Sequence, residues 1–235
     1  MDGNDVKLKK PFFVFNPKSY LYGEDLLALA KLADDTAQRY QDEISVFVTA
    51  PFSDLSSIAA KTRSIIVTAQ HMDSIRVGRG MGHVVPEAVY HAGARACFLN
   101  HAEYPLTLTK LIRAVKRAKE MNMITIVCAD SLEEAEVIVK LNPQILLCEP
   151  TELIGTGKTS DASYIEMTNH ALRRVSKDIL VMQAAGISTA EDVYRTITLG
   201  ADGTGCTSGI VNAQNPGKMM VDMIEACIRA FKERR

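Results

Sequence analysis

The chain has 235 residues, 47% of them apolar, a formal net charge of −1 and no tryptophan. The length suits one α/β barrel, which commonly runs to about 250 residues, and the apolar share is enough for a large core of Ala, Ile, Leu, Val and Met. The near-neutral charge gives no reason to expect nucleic acid or a membrane surface as partner, and no apolar run reaches the roughly 20 residues that span a bilayer.

Residues 1–10 read as a polar N-terminal extension, with Lys7, Lys9 and Lys10 in a small solvated cluster and no apolar leader segment. The expected address is the cytoplasm. Short apolar runs then recur at 12–15, 45–48, 65–68, 96–99, 124–127, 145–148 and 179–182. They are rich in β-branched residues and do not alternate, the pattern of strands buried on both faces of a parallel sheet. An eighth strand is placed at 202–205 by position alone, because Asp202, Gly203, Thr204 and Gly205 include nothing bulky.

Longer segments of helical period separate the runs. Leu26, Leu27, Ala30 and Ala33 share one face of the first. Leu108, Leu111, Ile112, Val115 and Ala118 do so after the fourth strand, and Ala135, Ile138, Val139 and Leu141 after the fifth. A final helix over 218–235 ends in basic residues, which suit a helix C-terminus. Strand then helix, about eight times with no long linker, predicts an α/β fold: a single (β/α)8 barrel domain over 1–235. The alternative is an open doubly wound sheet, but no Gly-rich dinucleotide turn follows the first strand.

Cys97, Cys128, Cys148, Cys206 and Cys227 are odd in number and show no zinc-finger spacing. The first three lie in or at the end of apolar runs and read as buried hydrophobes of a reducing compartment.

A barrel of this kind carries its chemistry at the C-terminal ends of the strands. Asn16 and Lys18 follow the first run; Gln70, His71 and Asp73 the third; Asn100, His101 and Glu103 the fourth. Glu149 and Pro150 follow the sixth, Gly186 the seventh, and Thr207, Ser208 and Gly209 the eighth. This set suits proton abstraction beside a carbonyl. A carboxylate reaches the C–H, while a neutral imidazole or a cation stabilises the charge developing on oxygen. Backbone N–H groups of Gly-rich loops can hold a phosphate. Taken singly, each residue has an ordinary reading: His101 a structural hydrogen-bonder, Glu149 a loop cap, Lys18 a surface charge.

The segment 154–159 ends like a phosphate-binding P-loop. That motif needs a glycine where Glu152 stands. A lid hinged at Pro150 and the pair Gly155 and Gly157 is the better reading. Gly80 and Gly82 mark a second loop, read as a flexible or interface loop. His71, His83 and His101 have no metal-ligand spacing.

At these residues the chain resembles triosephosphate isomerases, particularly the shorter archaeal-type members, over nearly its whole length. Residues 149–158 look like the family's catalytic glutamate and closing loop. Residues 69–73, 100–103 and 185–188 match in order, as does the pair Asn16 and Lys18. The resemblance implies a TIM-barrel aldose–ketose isomerase of glycolysis and gluconeogenesis, acting on dihydroxyacetone phosphate and D-glyceraldehyde 3-phosphate. It implies Glu149 as catalytic base, neutral His101 as electrophile, Lys18 stabilising an enediolate beside Asn16, and Glu103 as a second carboxylate positioning its neighbours. The phosphate would sit near Gly155, Gly186, Ser208 and Gly209. No metal and no organic cofactor is implied. A homodimer or homotetramer is, with the loop around Arg79 to His83 at the interface.

The chain also departs from the family pattern. Ala102 stands where a serine usually follows the histidine, and Tyr104 and Pro105 replace a polar-basic pair. Met81 stands for a threonine, and Ala185 for a glycine. These changes leave two alternatives: an isomerase of a related short sugar phosphate such as a tetrulose phosphate, or a weakly catalytic sugar-phosphate-binding barrel.

Overall fold

The computed structural model describes residues 7–150 and 159–234. Eight parallel strands pair in chain order and close into a barrel: β1 (Phe12–Phe15), β2 (Ser45–Ala50), β3 (Ile66–Ala69), β4 (Ala96–Leu99), β5 (Ile124–Ala129), β6 (Ile145–Cys148), β7 (Leu180–Gln183) and β8 (Gly203–Cys206). Helices α1 (Gly23–Arg39), α2 (Leu55–Lys61), α3 (Pro86–His91), α4 (Leu108–Glu120), α5 (Leu132–Ile138), α6 (Ala162–Val175) and α7 (Ala190–Thr198) connect them. The short α8 (Ser208–Val211) and the long α9 (Pro216–Glu233) complete the (β/α)8 order. The observed fold is the expected one. Strands three, seven and eight start one residue later than their sequence runs.

Strand alternation builds two cores. Phe12, Val14, Phe47, Phe98, Ile126, Leu147 and Met182 point inward and fill the barrel. Phe13, Phe15, Val46, Val48 and Leu99 point outward and pack under the helices. Closure explains the poor eighth strand. A Cβ on Gly203 would stand 2.3 Å from the Phe12 ring, and one on Gly205 would stand 2.6 Å from the Val14 carbonyl oxygen. Phe12 and Val14, paired with β8 in register, already occupy the space that side chains on β8 would fill.

Side chains fix where several helices start. Thr107, Ser131, Asp161 and Thr189 each accept a backbone N–H from the first turn of α4, α5, α6 and α7. Such caps stabilise a helix by about 1 kcal/mol each. Helix α4 corrects part of the sequence reading. Its buried stripe is Leu111, Ala114, Val115 and Ala118, whereas Leu108 and Ile112 are exposed (52% and 45%). The two lie beside the stripe, one position too far round the helix to reach the sheet.

Of the expected N-terminal extension, residues 1–6 lie outside the described residues. Leu8 packs against the inner core at the barrel's floor. Its neighbours are not purely solvated: the Lys9 N–H donates to Ser45 Oγ (2.8 Å), and Lys10 Nζ lies 3.3 Å from the buried Asp202 carboxylate. Among the described residues no helix is long and apolar enough to cross a membrane.

Candidate active site

The C-terminal mouth of the barrel opens on a solvent-connected cavity that Asn16, Lys18, His101, Glu149, Gly186 and Ser208 all line. Six side chains or loops singled out in the sequence therefore meet at one place. They come from the ends of β1, β4, β6, β7 and β8.

Lys18 sits in the left-handed backbone region (φ 48°), which is uncommon for a residue other than glycine. Two side chains hold it there. Asn16 Oδ1 accepts the Lys18 N–H at 3.0 Å, and Gln70 Nε2 donates to the Lys18 carbonyl at 2.7 Å. The ammonium lies 2.5 Å from Glu103 Oε1, so the cation faces the cavity with one exposed carboxylate beside it.

His101 follows β4. Its Nδ1 accepts the Glu103 N–H at 3.1 Å. A neutral ring making that bond must carry its proton on Nε2. Burial lowers the ring's pKa, and the Lys18 charge lowers it further, against a smaller opposing pull from Glu103. The imidazole is thus held neutral, as a donor rather than a cation.

Glu149 follows β6, its N–H bonded to the Ala129 carbonyl at 3.0 Å. Burial pushes its carboxyl up to about 7; Glu103 adds to the rise and Lys18 opposes it. Loss of hydration disfavours the ionised form, so near neutral pH this group takes up and releases a proton readily. Cys206 lines the same cavity, but burial raises its thiol to about 11. It stays protonated there and is no nucleophile.

The far side of the cavity is backbone. Gly186 turns through φ 68° after β7, a conformation that favours glycine. Ser208 opens α8 and lines the cavity. Gly209 sits behind it, so close to the Ser188 backbone that a Cβ would stand 2.6 Å from Ser188 Cα. Gly155 and the expected lid over 151–158 lie outside the described residues. Just past them, Arg195 donates to Thr159 Oγ1 and the Ser160 carbonyl, both at 3.1 Å. Arg195 gave no sign in the sequence, because it sits mid-helix on α7.

The unusual residues surround these groups. Ala102 and Glu149 border one hollow beside the cavity. Ala102 carries no hydroxyl to offer the carboxylate. The Tyr104 ring stands 4.5 Å from that of His71, and Met81 is fully exposed. Asn100 belongs to the polar group after the fourth strand and to the segment 100–103 that matches the family pattern. It is buried and makes three side-chain hydrogen bonds, to Cys128, Glu134 and Leu106. Two of those partners lie about thirty residues away, beyond the reach of a local motif.

Residues 11–227 match the family model described as triosephosphate isomerase. A triosephosphate isomerase of Sulfolobus acidocaldarius is 33% identical over 97% of this chain and 99% of its own length. That of Metallosphaera sedula is 34% identical over 97% of this chain and its entire length. That of Methanobacterium bryantii is 33% identical over 94% of this chain and 98% of its own. The chain belongs to the triosephosphate isomerase family.

Proposed function

We propose that this chain interconverts dihydroxyacetone phosphate and D-glyceraldehyde 3-phosphate, an aldose–ketose isomerisation through an enediolate. The observation that carries the reading is the meeting of Lys18, His101 and Glu149 at one cavity, with Glu149 raised and His101 lowered in pKa. A base and a neutral proton donor are thereby available at the same pH.

The Glu149 carboxylate removes the proton from C1 of the ketose, next to the C2 carbonyl. The electron pair moves into a C1–C2 double bond, and the charge develops on the C2 oxygen. His101 Nε2–H faces that oxygen and the Lys18 ammonium lies near it, so neither has to reorganise as the charge appears. The C1 hydroxyl proton passes to the C2 oxygen, with the His101 imidazole able to carry it, while Glu149 returns the carbon-bound proton to C2; the C1 oxygen ends as the aldehyde and the C2 oxygen as a hydroxyl. Asn16 keeps Lys18 in its strained backbone conformation, and Glu103 orients both the ammonium and the imidazole. The phosphate rests on backbone N–H groups around Gly186, Ser208, Gly209 and Gly155. We propose a homodimer or homotetramer, working in the cytoplasm.

Steady-state turnover on glyceraldehyde 3-phosphate beside four-carbon ketose phosphates, with Glu149→Gln as blank, tests this. Fast triose turnover that vanishes in the blank is expected. Fast four-carbon turnover with slow triose turnover moves the substrate to a tetrulose phosphate, and binding without turnover leaves a sugar-phosphate-binding barrel.

A further inference from the structure

We infer that Asn100 is a positioning residue for His101, acting together with Glu134 in the first turn of α5. The inference rests on His101 serving as the proton donor of the proposed isomerase. Asn100 is the last residue before the imidazole and has φ 60°. Both ends of its amide are engaged. Nδ2 donates to the Cys128 carbonyl at 3.0 Å and to Glu134 Oε1 at 3.0 Å, and Oδ1 accepts the Leu106 N–H at 2.9 Å. The last bond closes the loop 100–106 on itself, and the first two tie that loop to the end of β5 and the first turn of α5.

Glu134 is held in turn. Its Oε2 accepts the Asp130 N–H at 2.9 Å, and its own N–H bonds Ser131 Oγ at 3.2 Å. The carboxylate thus has one oxygen on its own helix turn and the other on Asn100. This second bond is more than capping requires, and it fixes the loop that carries the imidazole.

The geometry that makes His101 a useful donor lies inside the closed loop. The Glu103 N–H that reaches His101 Nδ1 at 3.1 Å is set by backbone between Asn100 and Leu106. Ala102 adds no side-chain hydrogen bond there. If the loop loosens, the Glu103 N–H drifts from Nδ1. The ring then loses the contact that keeps its proton on Nε2, facing the substrate.

A simpler account is that asparagine stands here because it tolerates the left-handed conformation. Glycine tolerates it better but brings no amide, so Asn100→Gly separates the two. The measurements are kcat, KM and the ¹⁵N ring shifts of labelled histidine, with His101 assigned by the signal missing from His101→Gln. Expected for Asn100→Gly is a kcat roughly tenfold lower with KM changed less than about twofold, since sub-ångström misplacement of a reacting group costs on this order. The His101 shifts should move from the Nε2–H pattern towards a mixture of tautomers.

Asn100→Asp sets a carboxylate against Glu134 and should be worse. Adding Glu134→Gln to it supplies a donor in the reverse direction and should recover part of both signals. If Asn100→Gly does not fold, Glu134→Gln alone is the substitute, because its amide cannot accept from both Asp130 and Asn100. Wild-type kcat and wild-type tautomer shifts in Asn100→Gly would overturn the inference, as would a lower kcat with unchanged shifts. Should the wild-type protein turn over no triose phosphate, the isomerase reading fails by itself, while the ring shifts still report whether Asn100 sets the tautomer.

Discussion

Replacing Glu149 by glutamine should stabilise the protein at alkaline pH, a consequence of the site's desolvation that needs no substrate to observe. The folded-state carboxyl is raised from the usual 4.5 to about 7, chiefly by burial. A raised carboxyl binds its proton more tightly when folded than when unfolded. Its contribution is therefore most favourable below about pH 4.5 and is lost as pH rises through 7. By the linkage relation the ionised form costs the folded state at most about 3 kcal/mol at pH 8. Water reaching the carboxyl from the open cavity reduces this to about 1–2 kcal/mol. Glutamine has nearly the same shape and no charge, so the variant avoids the cost. Urea unfolding of both proteins at equal subunit concentration, at pH 8 and pH 5.5, measures the difference. Glu149→Gln should gain about 1–2 kcal/mol at pH 8 and less than half of that at pH 5.5. A variant equal to or weaker than wild type at pH 8 would mean that the carboxylate is not desolvated, and the explanation of its basicity would fall with it.

The same carboxyl should set the acid limb of kcat/KM in free enzyme near pH 7. Glu103→Gln should move that limb to lower pH, because Glu103 adds to the rise; a substrate phosphate ionising near 6 would not shift with the variant. A limb near 4.5 in wild type would contradict the assignment. Glu149→Asp draws the base back by roughly an ångström and should lower kcat about a hundredfold, with an unchanged urea midpoint at pH 5.5; near-normal turnover removes Glu149 from the base role. In the barrel, Gly203→Ala should cost about 1–3 kcal/mol by overpacking, since its Cβ would overlap the Phe12 ring. Phe12→Leu in the same chain should recover part of that loss, and strictly additive losses in a double-mutant cycle would show that the two residues do not compete for space.

Much of this protein follows from local sequence. Seven strands stand out as short runs such as 124–127 because both faces of a parallel sheet exclude water and the sequence has to be apolar on both. The positions of Asn16, Lys18, His101, Glu103 and Glu149 were legible because a polar residue directly after a buried run must emerge at the strand's end, and in a barrel those ends meet. The eighth strand, by contrast, has no such signature. Its glycines are dictated by Phe12 and Val14, nearly two hundred residues earlier, and only closure brings them together. Periodicity likewise showed that α4 is amphipathic but counted Leu108 and Ile112 in the buried face; the edge of a stripe depends on the angle at which the helix meets the sheet. The acid–base character of the site lies furthest from sequence. A glutamate near 7 and a histidine fixed as its Nε2–H tautomer result from the field and hydration of assembled neighbours. Asn100, joined to a glutamate on the next helix, has a role that exists only once β4 and β5 stand side by side, because hydrogen bonds and desolvation depend on distances that the chain acquires by folding.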